Sequence, residues 1–263
     1  MQCYTAAMYR DVTELHDFYR DRLGLVVQRL LRRRLRQMWP DLTGQTLMGF
    51  GYAAPLLKAY EDQTARRFLV MPAAQGVMAW PETGKGRAVT LAHEHELPFE
   101  DASVDRIILC HAVECSTQLD TLMQEIWRVL AGQGRLMVIA PNRRGVWARS
   151  DHTPFGHGVP FSTGQLVNLL YKQNFVPERT AKAVFIPPLR QRFLLSTAPA
   201  FEEFGERWFE ALAGLNMVEA SKQVFAGIKP QREAQRTGRP VLVPNKGHAR
   251  PASALTSPNK QAS

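Results

Sequence analysis

Three stretches of this sequence place histidines where they could do chemistry, two of them beside glutamate, and each suggests a different chemistry. His111 and Glu114 lie three apart, just after the apolar run VDRIILC of Val104 to Cys110. A side chain of either type can take a proton from an acceptor hydroxyl or amine. His93 and His95 flank Glu94 in the segment HEHELPF. Their period of two suggests a metal site, but no third ligand of suitable spacing is evident, so the triplet reads as a hydrogen-bonded loop beside a strand. His152 and His157 belong to Ser150 to Phe161, rich in Gly, Pro, His and aromatic residues. Such a loop suits a substrate wall and offers further candidates for a general base. Cys3, Cys110 and Cys115 cannot all pair internally. Without a second ligand pair at zinc-site spacing they read as buried free thiols.

These residues need a scaffold, and its first piece is Gln45 to Leu57, QTLMGFGYAAPLL. The apolar run breaks at Gly49-Phe50-Gly51 and resumes with helical spacing, which predicts strand, glycine turn and helix over Tyr52 to Tyr60, with Pro55 in the first turn. Further strands are expected at Phe68 to Met71, Ala88 to Leu91, Val104 to Cys110 and Arg135 to Ala140. Helices are expected at Ala73 to Ala79 and Ser116 to Leu130, with Gly132 to Gly134 as a stop. Short apolar runs alternating with helices imply βαβ units and a parallel sheet covered on both faces. Beyond it, the pattern predicts a helix at Ser162 to Gln173, a strand at Ala183 to Ile186, a helical block from Leu189 to Leu215 and a last strand near Ala220 to Phe225.

The first forty residues look helical. From Leu23 to Met38 apolar residues recur every three or four positions, and Arg29, Arg32, Arg33 and Arg36 share the opposite stripe. This basic amphipathic face suits the phosphates of RNA or an anionic membrane, or else is a solvated face over the mouth of the domain. Trp39-Pro40 should end the helix, because the residue before proline is pushed out of the α region.

The 263 residues, 45% hydrophobic and 22% charged, suffice for one large domain. The net charge of +9 is concentrated late: from Lys229 onward there are seven basic residues and one acid. That composition predicts a disordered basic tail over 229–263 rather than a nucleic-acid arm. With no long apolar run and no signal-peptide pattern, no membrane insertion and a cytoplasmic location are expected.

LPFEDASVDRIILCHAVE (97–114) and EIWRVLAGQGRLMVIAPNRRG (125–145), placed after the glycine turn, resemble class I S-adenosylmethionine-dependent methyltransferases of the type-11 group. The resemblance implies a Rossmann-like, doubly wound α/β fold with a mostly parallel seven-stranded sheet. It also implies S-adenosyl-L-methionine as cofactor and a small-molecule acceptor. Matched residue by residue, the cofactor contacts fall on Gly49, Phe50, Gly51, Met71, Pro72, His93, Glu94, His95 and Leu97, and the residues facing the methyl group on His111 and Glu114. The match has losses. Leu47 and Ala53 replace an acid and a glycine of the glycine loop. Met71 or Pro72 stands where a carboxylate would accept from both ribose hydroxyls. The acid that caps the adenine amino group falls on His93. APNRRG lacks the second proline and the aromatic of an amino-methylating signature and follows the wrong strand.

The expected layout is an N-terminal helical segment (1–40), a methyltransferase-like domain (41–228) with a small helical cap at about 143–215, and the tail. Its expected function is methyl transfer. The alternatives are a degenerate binding or regulatory module that has lost the cofactor, and an RNA-binding or RNA-modifying protein acting through Arg29, Arg32, Arg33 and Arg36.

Overall fold

A computed structural model describes residues 9–81, 88–189, 202, 205 and 213–223. Two compact units divide the chain, Met1–Val224 and Phe225–Ser263, and the described residues all fall in the first. Most of the helical block expected at Leu189 to Leu215, Cys3 and the tail lie outside them.

Seven strands form one sheet: β1 (Thr46–Gly51), β2 (Arg66–Pro72), β3 (Val89–Ala92), β4 (Val104–Cys110), β5 (Leu130–Pro141), β6 (Phe175–Ala183) and β7 (Leu215–Lys222). Their order is β3-β2-β1-β4-β5-β7-β6. The first five run parallel, whereas β7 is antiparallel to both β5 and β6. This is the α/β, mostly parallel seven-stranded architecture expected. Alternate strand residues feed two cores. Leu47, Ile108 and Met137 pack with α1 (Val12–Arg20), α2 (Arg22–Met38) and α3 (Ala54–Leu57). Met48, Ile107 and Leu136 pack with α4 (Leu119–Val129) and α5 (Thr163–Lys172) on the other face.

The N-terminal helices form for local reasons. Asp11 caps α1 by accepting from the Thr13 amide at 2.8 Å. Val12, Leu15, Phe18 and Tyr19 make its buried stripe. α2 buries Leu23, Val26, Val27, Leu30, Leu31, Leu35 and Met38, the predicted stripe, and Trp39 is its C-cap. The crossing is tight: a Cβ on Gly24 would lie 2.0 Å from the Phe18 carbonyl oxygen.

Several expected elements need correction. Ala73 to Ala79 is a turn, because Gly76 takes a φ of +86° and the Gln75 amide donates to the Pro72 carbonyl at 2.9 Å. The helix predicted over Tyr52 to Tyr60 is the short α3 followed by a 3-10 turn at Lys58–Tyr60. α4 starts at Leu119 and ends before Leu130, and Gly132 to Gly134 lie inside β5, where a register shift against β4 takes up the extra residues. The strand expected at Ala183 to Ile186 ends at Ala183, and β6 occupies the polar stretch before it. As an edge strand it tolerates Pro177 and exposed polar residues that hide its pattern. β7 begins five residues earlier than expected, at Leu215.

Candidate active site

In a doubly wound sheet, ligands gather where successive strands depart in opposite directions, at the carboxyl edge. Here that point lies between β1 and β4, whose last residues Gly51 and Cys110 are register partners. Gly51 has a φ of +82°, and a Cβ there would sit 2.3 Å from the Cys110 carbonyl oxygen. Gly49 is tight for another reason, since its Cβ would meet that of Ala53 at 2.7 Å. Both glycines are therefore demanded by packing within the protein.

α1 crosses above this point. The Tyr19 hydroxyl lies 2.9 Å from Nε2 of His111, and its ring stacks on Tyr52, with centroids 5.4 Å apart and planes at 17°. Phe155 closes the other side of His111 at 4.6 Å and meets Trp147 at 5.7 Å. One aromatic cluster thus joins α1, the residue after the glycine turn, the end of β4 and the loop after β5.

His111 and Glu114 come together beneath it. His111 is buried with a left-handed φ of +53°, and burial pushes its imidazole down to about 3, so it is neutral near pH 7. Glu114 is 1% exposed, and neither carboxylate oxygen has a hydrogen-bond partner among the described residues. Its Oε1 lies 3.6 Å from Nδ1 of His111, too long for a hydrogen bond. Burial pushes the carboxyl up to about 7. The loop after β5 clamps its backbone, with the Val159 amide donating to the Glu114 carbonyl at 2.8 Å. Gly158 packs so closely that a Cβ would fall 2.3 Å from that same oxygen. The other candidate bases lie outward. His152 is exposed, and His157 is engaged by Arg10 and the Asp151 carbonyl. Cys110 and Cys115 are buried and free, with burial raising both thiols.

A hollow of about 200 Å³ opens further along the edge, among Tyr9, Pro72, His93, Glu94, His95 and Gln118. The tight turn His93 to Glu96 carries Glu94 inward and leaves His93 exposed and stacked on His95. Glu94 is therefore the carboxylate that borders the hollow, next to His93, on which residue matching places the acid. Its Oε1 accepts from the Tyr9 hydroxyl at 2.5 Å and its Oε2 from the Gln118 amide at 3.3 Å. Of the other matched residues, Gly49, Phe50, Met71 and Leu97 are built into the sheet and its cores and do not border the hollow. Among the described residues no group of three potential ligands could hold a metal ion.

Sequence reasoning missed Tyr9, Tyr19 and Gln75. Gln75 is 1% exposed, and both of its amide atoms lack partners among the described residues. It follows β2 by three residues, and its carbonyl accepts from the Val12 amide at 2.9 Å, where α1 docks. The one sequence signal for it was a polar residue inside an otherwise small and apolar stretch.

Known proteins share the fold. A family model described as a methyltransferase domain matches residues 48–138. A ubiquinone/menaquinone biosynthesis C-methyltransferase from Rubrivivax gelatinosus is 24% identical over 227 residues, covering 83% of this chain and 86% of its own. A chain in the complex of the Haloferax volcanii Trm112 methyltransferase activator with a methyltransferase superposes with a TM-score of 0.55 at 14% identity, over 81% of this chain and 92% of that one. The [4+2]-cyclase SpnF matches with a TM-score of 0.53 at 17% identity, over 82% and 98%. Such distant structural likenesses establish the fold, and the cyclase is a reminder that one fold hosts several chemistries.

Proposed function

We propose that this chain, whose residues 48–138 are a methyltransferase domain of the class I S-adenosylmethionine-dependent family, binds that cofactor along the carboxyl edge and methylates a small molecule. The observation that carries the proposal is the pair of orphaned polar side chains there, Gln75 after β2 and Glu114 after β4. An unsatisfied buried polar group costs about 1–3 kcal/mol, a cost that a bound ligand with hydroxyls and a positive charge would offset.

The residues present fit the cofactor in parts. Glu94 supplies the acceptor for an adenine amino group, beside a hollow of about 200 Å³. Gln75 offers one donor and one acceptor toward the ribose, in place of the carboxylate absent at Met71 and Pro72. The Tyr19–Tyr52 stack covers the glycine turn, so binding there requires α1 to shift.

When bound, the cofactor supplies an electrophilic methyl group on a sulfonium and departs as a neutral thioether. The protein's work is then alignment, exclusion of water and removal of one proton from the acceptor. Glu114, with its carboxyl near 7, is the base we assign to that proton. His111 remains neutral and holds the Tyr19 hydroxyl on one side while bordering Glu114 on the other.

A second reading, a non-catalytic module that has lost the cofactor, is favoured by the same stack and by Met71 and Pro72. Melting curves with and without S-adenosylhomocysteine separate the two. Ligand at a hundred times its Kd adds about 2.7 kcal/mol of stability and raises Tm. An unchanged Tm at millimolar ligand favours the second reading.

A further inference from the structure

The arginine face of α2 is not simply solvated. It forms one wall of a groove of about 770 Å³, with Gln28, Arg29, Arg32, Arg33, Arg36 and Lys58 among its borders. Of the nine described residues that border it, five are cations and none is a carboxylate; Arg29, Arg32, Arg36 and Lys58 are the four that bear on what the groove binds. A second groove of about 350 Å³ shares Gln28, Arg32 and Lys58 with the first and runs on past Arg20 and Arg67 to Tyr52. Among the described residues its only bordering acid, Glu61, lies 3.6 Å from Arg67.

Two of the guanidinium groups are fixed in place. Arg32 donates from Nε to the Pro55 carbonyl at 2.5 Å and from Nη2 to Gln28, which itself donates to the Tyr19 carbonyl at 2.8 Å. Arg36 donates to the Ala59 carbonyl from Nε at 3.3 Å and Nη2 at 3.0 Å. The two lie one helical turn apart, and burial together with the Arg36 charge lowers the Arg32 guanidinium. The fixed guanidinium forks of Arg32 and Arg36, crowded by like charge, suit an anion with several acceptor oxygens.

We propose that this groove binds a soluble ligand through a phosphate or diphosphate group. Its volume lies in the range of small-molecule sites, roughly 300–1,000 Å³, and its concave shape suits a discrete group better than the plane of a bilayer. Leu25, at 48% exposed, is its one open large apolar side chain, too little to anchor a membrane. A nucleic-acid strand would need open ring faces for its bases, yet Tyr19 and Tyr52 are stacked on each other and Trp80 lies under Arg67.

The test is calorimetric titration of the full chain with inorganic pyrophosphate at low and at moderate salt, beside an Arg29→Ala/Lys58→Ala variant. Both side chains are exposed and neither holds α2 in place, so the variant's melting curve should match that of the wild type. Saturable binding that weakens with salt, and by about tenfold or more in the variant, is expected. No binding at millimolar pyrophosphate and low salt, or binding that the variant leaves unchanged, would overturn the assignment. So would co-sedimentation with phosphatidylglycerol vesicles in the absence of pyrophosphate binding. None of these readouts uses S-adenosylmethionine, so the result is independent of the methyltransferase reading.

Discussion

The Tyr19 hydroxyl and Nε2 of His111 meet at 2.9 Å across 92 positions of sequence, inside the buried cluster where α1 crosses the end of β4. This contact ties the N-terminal helix to the one residue at the carboxyl edge that combines a left-handed backbone with an imidazole kept neutral by burial. Tyr19→Phe keeps the stack on Tyr52 and removes only the hydroxyl, leaving Nε2 unpaired. The expected loss of stability is about 1–2 kcal/mol in urea unfolding. A loss below a few tenths would mean that the hydroxyl contributes nothing net.

Two glycines with positive φ separate conformational strain from collision. At Gly44, φ is +75° with nothing within 4 Å of an added Cβ, whereas at Gly51 the Cys110 carbonyl would be 2.3 Å away. Gly44→Ala should cost about 1–2 kcal/mol, from the left-handed backbone alone. Gly51→Ala adds overpacking and should cost roughly 2–5 kcal/mol in total. Equal denaturation midpoints for the two variants would show that the glycine turn yields where the structure is tight.

The neighbours His111 and Glu114 give stability an unusual dependence on pH. The imidazole falls from 6.5 to about 3 on folding, so the unfolded chain binds the extra proton and stability drops as pH falls below 6.5. The carboxyl rises from 4.5 to about 7, so the native chain binds the extra proton and stability drops as pH rises from 4.5 to 7. Between pH 4.5 and 6.5 the two slopes cancel. Glu114→Gln removes one of them, and this pair's contribution there should become a gain of about 1.4 kcal/mol per pH unit with rising pH. Unfolding free energies measured across that window, wild type against variant, check it. Identical profiles would contradict the burial argument for Glu114, and a variant profile without that gain would contradict the one for His111.

How much of this was legible in the sequence varied with what each residue had to do. The strands β1, β2 and β4 end in apolar runs buried on both faces, and β3 is a short run at the sheet edge; a run of that kind in such a series has few other readings. β6 escaped because an edge strand with polar residues and Pro177 carries no such run. His111 and Glu114 were visible from their place just after β4, a consequence of topology. Glu94 could not be separated from His93, because alternation in a loop does not say which side chain turns inward. The tight turn and the partners Tyr9 and Gln118 decide that. Gln75 was hidden by the helix expected at Ala73 to Ala79, and it is Gly76, with its positive φ, that opens the chain there. Tyr19 lies before the stripe read from Leu23 to Met38, and its burial against a distant segment leaves no local pattern.

A binding site along the carboxyl edge is tested most directly by calorimetric titration of the protein with S-adenosylhomocysteine, alongside Glu94→Ala and Gln75→Leu. The account predicts saturable binding in the wild type and an affinity about tenfold or more lower in each variant, because each loses a hydrogen bond to the adenine amino group or the ribose. No heat of binding at millimolar ligand from a folded protein, or binding that both variants leave untouched, would contradict it.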